Sequence, residues 1–387
     1  MNPLRILLFT SSRADYGFLC PLLDALSSDS AFEPLLLVCG SHLSEQHGMT
    51  VDEIRGDGRV IHACFDTLCP EPAETIALTC TAVAQSLAEL RPDMLLLPGD
   101  RFELLGAASA ALVARIPVIH YAGGQLTAGA WDDAVRHAVS KLSHLHFTAC
   151  ESYRQRIIQM GEEPDRVFVS GSLGLDNVLS MPRLSRAELQ DQLGFTLNAP
   201  LALVTFHPAT NDDGDPAEQA EELLAALDAT PDLHTIITLP GADPGSEVIA
   251  RKMEAYAGKN PERSLMVKSL GRKRYISALS CVDVVIGNSS SGLIEVPSFH
   301  IPTVNVGNRQ QGRICASSVL HCPPRRHSIS QAISRALTPE FRQSLAGVTN
   351  PYGDGMAAQR ILAVLRRTNH KRLLNKLFHD LPMEPVP

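Results

Sequence analysis

The chain carries no excess of positive charge. Its 34 Lys and Arg residues are outnumbered by 42 Asp and Glu, a net charge of −8 with histidines neutral. Nucleic acid and anionic membrane surfaces would not attract such a protein electrostatically, so neither is expected as a partner. The one locally basic stretch, "LRRTNHKRLLNKL" near residues 365–377, reads as a solvated helix face. No apolar run approaches the ~20 residues that span a bilayer. The start, "MNPLRILLFT", enters a strand pattern directly and lacks the layout of a signal peptide. There is no CxxC pair, and the nine cysteines are odd in number and scattered through apolar runs such as "LLLVCG". They read as reduced thiols, so neither a disulfide frame nor a zinc site is expected. Internal repeats and low-complexity tracts are missing as well. These absences point to a cytoplasmic globular protein without a metal.

What is present is core material and alternation. With 387 residues, 44% of them hydrophobic, the chain exceeds one comfortable core, and two domains of roughly 180 residues are the natural division. Near-continuous apolar runs predict buried strands at 5–10, 34–39, 93–99, 117–122, 144–149 and 166–171, and again at 201–206, 234–240, 264–270, 282–287 and 302–307. Helical patterns separate most of them, including "AETIALTCTAVAQSLAELR", "ELLGAASAALVARI" and "PAEQAEELLAALDA". The alternation predicts α/β architecture: two Rossmann-like, doubly wound parallel-sheet domains facing a cleft. The expected domains are 1–180 and 181–387. Pro182 ends the preceding helix, and Ser185 with Glu188 makes a capping box for the next. A long final helix is expected at 356–381, placed to pack back on the first domain.

In open parallel sheets, ligands bind beyond the carboxyl ends of the strands, and the chemistry-bearing motifs all follow strands. The first strand empties into "TSSRADYGFLCPLL", a small-residue turn opening a helix, with Arg13 able to fork onto a phosphate. A later strand ends in "PGDRF", which sets Asp100 and Arg101 at the sheet edge. The next runs into "HYAGGQLTAGAWDDAVRH", where Asp132 and Arg136, and likewise Asp133 and His137, lie four apart on a helix. They fit simple surface pairs, or an acid and a cation serving a substrate. Trp131, the only tryptophan, reads as packing. In the second half His207 ends a buried strand in "LALVTFHPAT". The strongest element is "VVIGNSSSGLIEVPSFHIPTVNVGNRQQGR". Here Ser289, Ser290 and Gly292 open a helix suited to a diphosphate, Glu295 can accept both hydroxyls of a ribose, and Arg309 and Arg313 supply balancing charge. Two such half-sites suit a sugar nucleotide, the nucleotide on the second domain and the sugar on the first.

At these residues the sequence resembles the hydrolysing UDP-N-acetylglucosamine 2-epimerase family. "SSRADYG", "PGDRFELLGAA", the diglycine loop, "RHAVSKLSHLHF", "GNSSSGLIEVPSF" and "NVGNRQQGR" carry the likeness over nearly the whole chain. "TAGAWDDAVRHAVSKLSHLHF" and "YRQRIIQMGEEPDRVFVSGSLGLDNV" are most similar to the branch acting on NDP-N,N'-diacetylbacillosamine for legionaminic acid synthesis. The resemblance implies a GT-B type fold and no cofactor. It implies a UDP-linked diacetamido or acetamido sugar as substrate, UDP as a product, and a homodimer or homotetramer. It puts Asp100, Asp132 and His207 at positions implicated in the reaction, Ser289, Ser290 and Glu295 at diphosphate and ribose contacts, and Arg309 and Arg13 near the phosphates. Arg136 and Gly292 join the expected substrate-binding set.

The diglycine loop departs from that pattern. The family has a titratable Glu or His where this chain has Ala122, and an acid where it has Gln125. Removing an essential acid or base typically costs ~10²- to 10⁴-fold in rate. The main expectation is hydrolytic 2-epimerisation of UDP-N,N'-diacetylbacillosamine. The alternatives are the UDP-N-acetylglucosamine reaction giving N-acetylmannosamine, a catalytically impaired nucleotide-sugar binder, and a glycosyltransferase on the same fold.

Overall fold

The computed structural model describes residues 3–127, 131–208, 214–240 and 245–382. They form two compact units, each built on its own parallel sheet. The first unit takes the chain up to Gln125, then Trp131–Asn177, and finally the segment that begins at Tyr352. The second is essentially Val178–Pro351.

The first sheet has seven strands: β1 (Leu4–Thr10), β2 (Phe32–Cys39), β3 (Ala63–Phe65), β4 (Met94–Pro98), β5 (Val118–Tyr121), β6 (Leu145–Thr148) and β7 (Val167–Val169). Their order is β3-β2-β1-β4-β5-β6-β7, every pairing parallel. The second sheet contains β8 (Leu201–Thr205), β9 (His234–Thr238), β10 (Ser264–Val267), β11 (Val284–Gly287), β12 (Thr303–Val306) and β13 (Val319–Cys322). Its order, β10-β9-β8-β11-β12-β13, repeats the same winding. In both sheets the order reverses beside the first strand, between β1 and β4 and between β8 and β11. Such a reversal leaves a crevice at the carboxyl edge, where parallel sheets receive ligands.

The central strands form as their sequences predict. Ile6, Leu7, Leu8 and Phe9 of β1 are fully buried and alternate between the two cores that cover the sheet. Helices follow the anticipated patterns at Pro72–Leu90, Glu103–Ala114 and Pro216–Asp228. The capping box at Ser185 and Glu188 is formed, one turn beyond Pro182. Strands β3 and β13 were not anticipated. Both are short, lie at sheet edges and are half exposed, so neither needs a run of large apolar residues.

The C-terminal region differs from the long helix expected at 356–381. One helix, Ala357–Arg367, is followed by a single turn, His370–Leu373. The helix belongs to the first unit, where Ala357, Ala358, Ile361, Val364 and Leu365 complete the core over β1 and the helix Arg13–Ser27. Its start is capped from a distance, both Asp176 carboxylate oxygens accepting from Ala357 N (2.9 Å) and Ala358 N (2.6 Å). None of the nine cysteines is joined in a disulfide. Among the described residues no helix is long and apolar enough to cross a membrane, and no cluster of His, Cys, Asp and Glu is placed to hold a metal.

Candidate functional site

The candidate residues follow the carboxyl ends of strands at or beside the two sheet reversals. In the first unit, β1 ends in Thr10 and the turn Ser11–Ser12, which opens the helix Arg13–Ser27. Asp15 folds back on this turn, its carboxylate accepting from Ser11 N (3.2 Å) and Ser11 Oγ (3.0 Å). Burial pushes Asp15 up to about 6, against the pull of Arg101 and Ser12. Below it, His42 bridges Thr10 Oγ1 and Thr50 Oγ1 at 2.8 Å each, and burial lowers its pKa to about 4. This network joins residues far apart in the chain and leaves no local trace in the sequence. Arg13 itself is half exposed at the helix start, 3.4 Å from Glu53.

Beyond β4, Gly99 turns the chain with φ +81°, followed by Asp100 and Arg101. Arg101 forks onto the fully buried Glu103 through Nε (3.0 Å) and Nη2 (2.8 Å). The Asp132 carboxylate also acts on the Arg101 charge. Arg136, expected to meet substrate, is entirely buried. Its guanidinium bonds the Asp100 carboxylate, Asp133 Oδ1 (3.3 Å) and the backbone carbonyl of Gln125 (2.8 Å). One cation thereby fixes the acid after β4, the acid on the helix Asp132–Leu142 and the loop after β5. The other helical pair forms as spaced, Asp133 lying 3.3 Å from His137. Trp131 is largely exposed, tilted against Phe102 with ring centres 5.5 Å apart.

The diglycine loop follows β5. His120 is buried, hydrogen-bonded to Gly99 O (2.8 Å) and Ser140 Oγ (2.9 Å). Burial lowers its pKa to about 3, so it holds the loop as a neutral imidazole. Ala122 has left-handed backbone, φ +66°, and its N–H donates to Phe147 O. Gly124 also has positive φ, and a Cβ there would sit 2.3 Å from Tyr153 O. The second glycine is therefore required by packing against the helix Glu151–Gln159. Residues 128–130, within the stretch "TAGAWDD", lie outside the described residues.

In the second unit the reversal is clamped by one side chain. Asn288, directly after β11, accepts from His207 N through Oδ1 (2.7 Å) and donates from Nδ2 to His207 O (2.8 Å). That reciprocal pair ties the ends of β8 and β11 together. Gly287 permits the approach, since a Cβ on it would fall 1.9 Å from Thr205 O. The Asn288 carbonyl then accepts from Gln310 Nε2 (2.8 Å) and Arg309 Nη1 (3.2 Å), drawing the loop after β12 to the same point. Burial, with Arg309 adding to it, lowers His207 to about 4, so near neutral pH its ring is an uncharged donor or acceptor.

Ser289, Ser290 and Ser291 follow Asn288. The helix they open is a single turn, Ser291–Ile294, continued by a 3-10 turn at Val296–Phe299. A macrodipole from so short a helix is small, so any anion contact here rests on the hydroxyls and N–H groups. Gly292 packs beneath β12, where a Cβ would meet Thr303 Cγ2 at 2.8 Å. Glu295 is drawn up in pKa by burial, against its bond to Ser291 and the charge of Arg313. Its Oε2 is buried without a partner among the described residues, as are Gln310 Oε1 and Arg313 Nε. Buried polar atoms left open in this way are costly unless a ligand or water completes them. The reversal of the second sheet thus gathers three serines, two arginines and one carboxylate.

The sequence profile described as UDP-N-acetylglucosamine 2-epimerase matches residues 24–366. A Campylobacter jejuni protein described as GDP/UDP-N,N'-diacetylbacillosamine 2-epimerase (hydrolyzing) is 32% identical over 386 residues, covering 98% of this chain and 100% of that protein. A Legionella pneumophila protein described as UDP-N,N'-diacetylbacillosamine 2-epimerase (hydrolyzing) is 33% identical over 379 residues, covering 96% and 98%. Among solved structures, the Neisseria meningitidis UDP-GlcNAc 2-epimerase bound to UDP-GlcNAc superposes with a TM-score of 0.81 at 17% identity, covering 94% of this chain and 100% of that one. With the profile spanning most of its length, this chain belongs to the UDP-N-acetylglucosamine 2-epimerase family.

Proposed function

We propose that this protein is a hydrolysing 2-epimerase that converts UDP-N,N'-diacetylbacillosamine into the C2-inverted free 2,4-diacetamido sugar and UDP. The observation that carries this reading is the end-to-end similarity to two relatives, from different bacteria, described by this activity. The grouping of anion-compatible side chains at the second sheet's reversal supports it.

The reaction removes the C2 proton and expels the diphosphate from C1, leaving a 1,2-unsaturated sugar. Water then adds its oxygen at C1, and a proton returns to the other face of C2. Asp100 and Asp132 are the acid and base in this reading, and a positioned group of this kind contributes typically ~10²- to 10⁴-fold. Arg136 serves them from within, because its buried guanidinium holds the Asp100 carboxylate and the loop carbonyl of Gln125. Ser289, Ser290 and Arg309 hold the diphosphate as charge collects on it, with Arg13 a further cation. His207 assists as a neutral N–H donor. Glu295 accepts from the ribose through the oxygen that the protein leaves open.

The test is a reaction in D₂O with UDP-N,N'-diacetylbacillosamine as donor, read by mass spectrometry and NMR. The expected products are UDP and the inverted sugar carrying one deuterium at C2. Product without deuterium there overturns the elimination route, and preference for UDP-N-acetylglucosamine in direct competition overturns the substrate.

A further inference from the structure

Tyr275 is part of no motif read above. It lies on the helix Gly271–Leu279, and its hydroxyl is hydrogen-bonded to Ser291 Oγ, sixteen residues on. Burial and the nearby Glu295 charge both oppose loss of the phenol proton, so the group stays an O–H donor at working pH. Ser291 in turn lies beside the Glu295 carboxyl and holds its pKa down against the effect of burial. A serine has one proton to give and lone pairs to receive. Either hydroxyl can donate in this pair; with Tyr275 as donor, the Ser291 proton is left for Glu295 and the three groups form a directed chain. At its end Glu295 Oε2 is buried and has no partner among the described residues. A carboxylate so fixed keeps one oxygen as a pure acceptor, the complement of a vicinal diol.

We propose that Tyr275 is a positioning residue for Glu295: through Ser291 it orients the carboxylate so that its open oxygen accepts from the ribose hydroxyls of the nucleotide. The inference rests on the nucleotide reading given above. It assigns to the pair Tyr275–Ser291 a part of the affinity for ribose, and none for the phosphates.

Calorimetric titration with UDP and with 2',3'-dideoxy-UDP tests it. Hydrogen bonds to a charged group are among the stronger ones, and losing the orientation of one without losing the carboxylate forfeits part of its strength. Tyr275→Phe keeps the ring and removes the hydroxyl. It is expected to weaken UDP about 5- to 20-fold while leaving dideoxy-UDP within twofold of the unaltered protein, with KM raised and kcat within about threefold. Ser291→Ala is expected to match it, and Ser291→Thr, which restores a hydroxyl, to recover most of the loss. Equal losses for the two nucleotides, or no loss for either, overturn the proposal. Glu295→Gln separates the two layers. If it discriminates between the nucleotides and Tyr275→Phe does not, the positioning role fails alone. If Glu295→Gln does not discriminate, the ribose reading falls and takes the inference with it.

Discussion

At the scale of single residues, Ala122 and His120 make opposite demands. Ala122 is half buried in left-handed backbone, where a non-glycine residue is uncommon. It stands where the resemblance to the family places a titratable Glu or His. Ala122→His is expected to raise kcat roughly tenfold or more, measured as UDP released from a saturating donor. An equal or lower rate means that proton transfer here is carried by other groups. His120 governs acid stability instead. Folded, it resists protonation until about pH 3, whereas the unfolded residue takes its proton near 6.5. Between those values the unfolded chain binds more protons, so stability falls as pH falls, by roughly 1.4 kcal/mol per pH unit at most for this group. His42 and His144, each lowered to about 4 by burial, add to the same trend. Asp15, raised to about 6, opposes it between about pH 4 and 6, because there the folded state binds the proton first. The expected outcome is a lower Tm at pH 5 than at pH 7, with a smaller difference in His120→Gln. Tm values independent of pH over that interval contradict the account.

At the scale of elements, the two sheet reversals depend on backbone as much as on side chains. Gly287→Ala would drive a methyl into the Thr205 carbonyl, pushing β8 and β11 apart at the ends that carry His207 and Asn288. Loss of UDP binding with a clearly lowered Tm is expected, checked by calorimetry on the purified variant. Asn288→Ala leaves the His207 N–H and carbonyl without their partner, about 1–3 kcal/mol for each group that stays buried. A chemical denaturation midpoint close to that of the unaltered protein would show that water replaces the clamp. Elements buried on both faces, such as β1 and β8, were legible from their apolar runs. The edge strands β3 and β13 were not, because a half-exposed strand three or four residues long leaves no such run. The same contrast holds in the site. The run Gly287–Ser291 announces itself, since small and polar residues interrupt an apolar strand end. Contacts made by distant parts of the chain leave no local trace: Asn288 with His207, Arg136 with Asp100, and Tyr275 with Ser291.

At the scale of the whole molecule, the two units differ in how the chain closes them. The second is nearly one continuous stretch, Val178–Pro351, with its own buried clusters on both faces of its sheet. The first is finished only by the segment after Tyr352. Ile361, Val364 and Leu365 of that segment are buried in its core, and large aliphatic side chains of this kind contribute about 1.5–3 kcal/mol each when removed from water. A fragment of residues 178–351 is therefore expected to unfold in one cooperative transition. A fragment of residues 1–177 is expected to lack one unless residues 352–382 are supplied as a peptide. Independent folding of 1–177 would show that the terminal helix is dispensable to the unit it completes.

The interrupted first unit sets an order for synthesis. A ribosome releases every residue of the second unit before it delivers the helix that seals the first. The nascent first sheet thus waits with part of its apolar face uncovered, and a premature stop between residues 352 and 357 yields a product with a finished second half and an unsealed beginning.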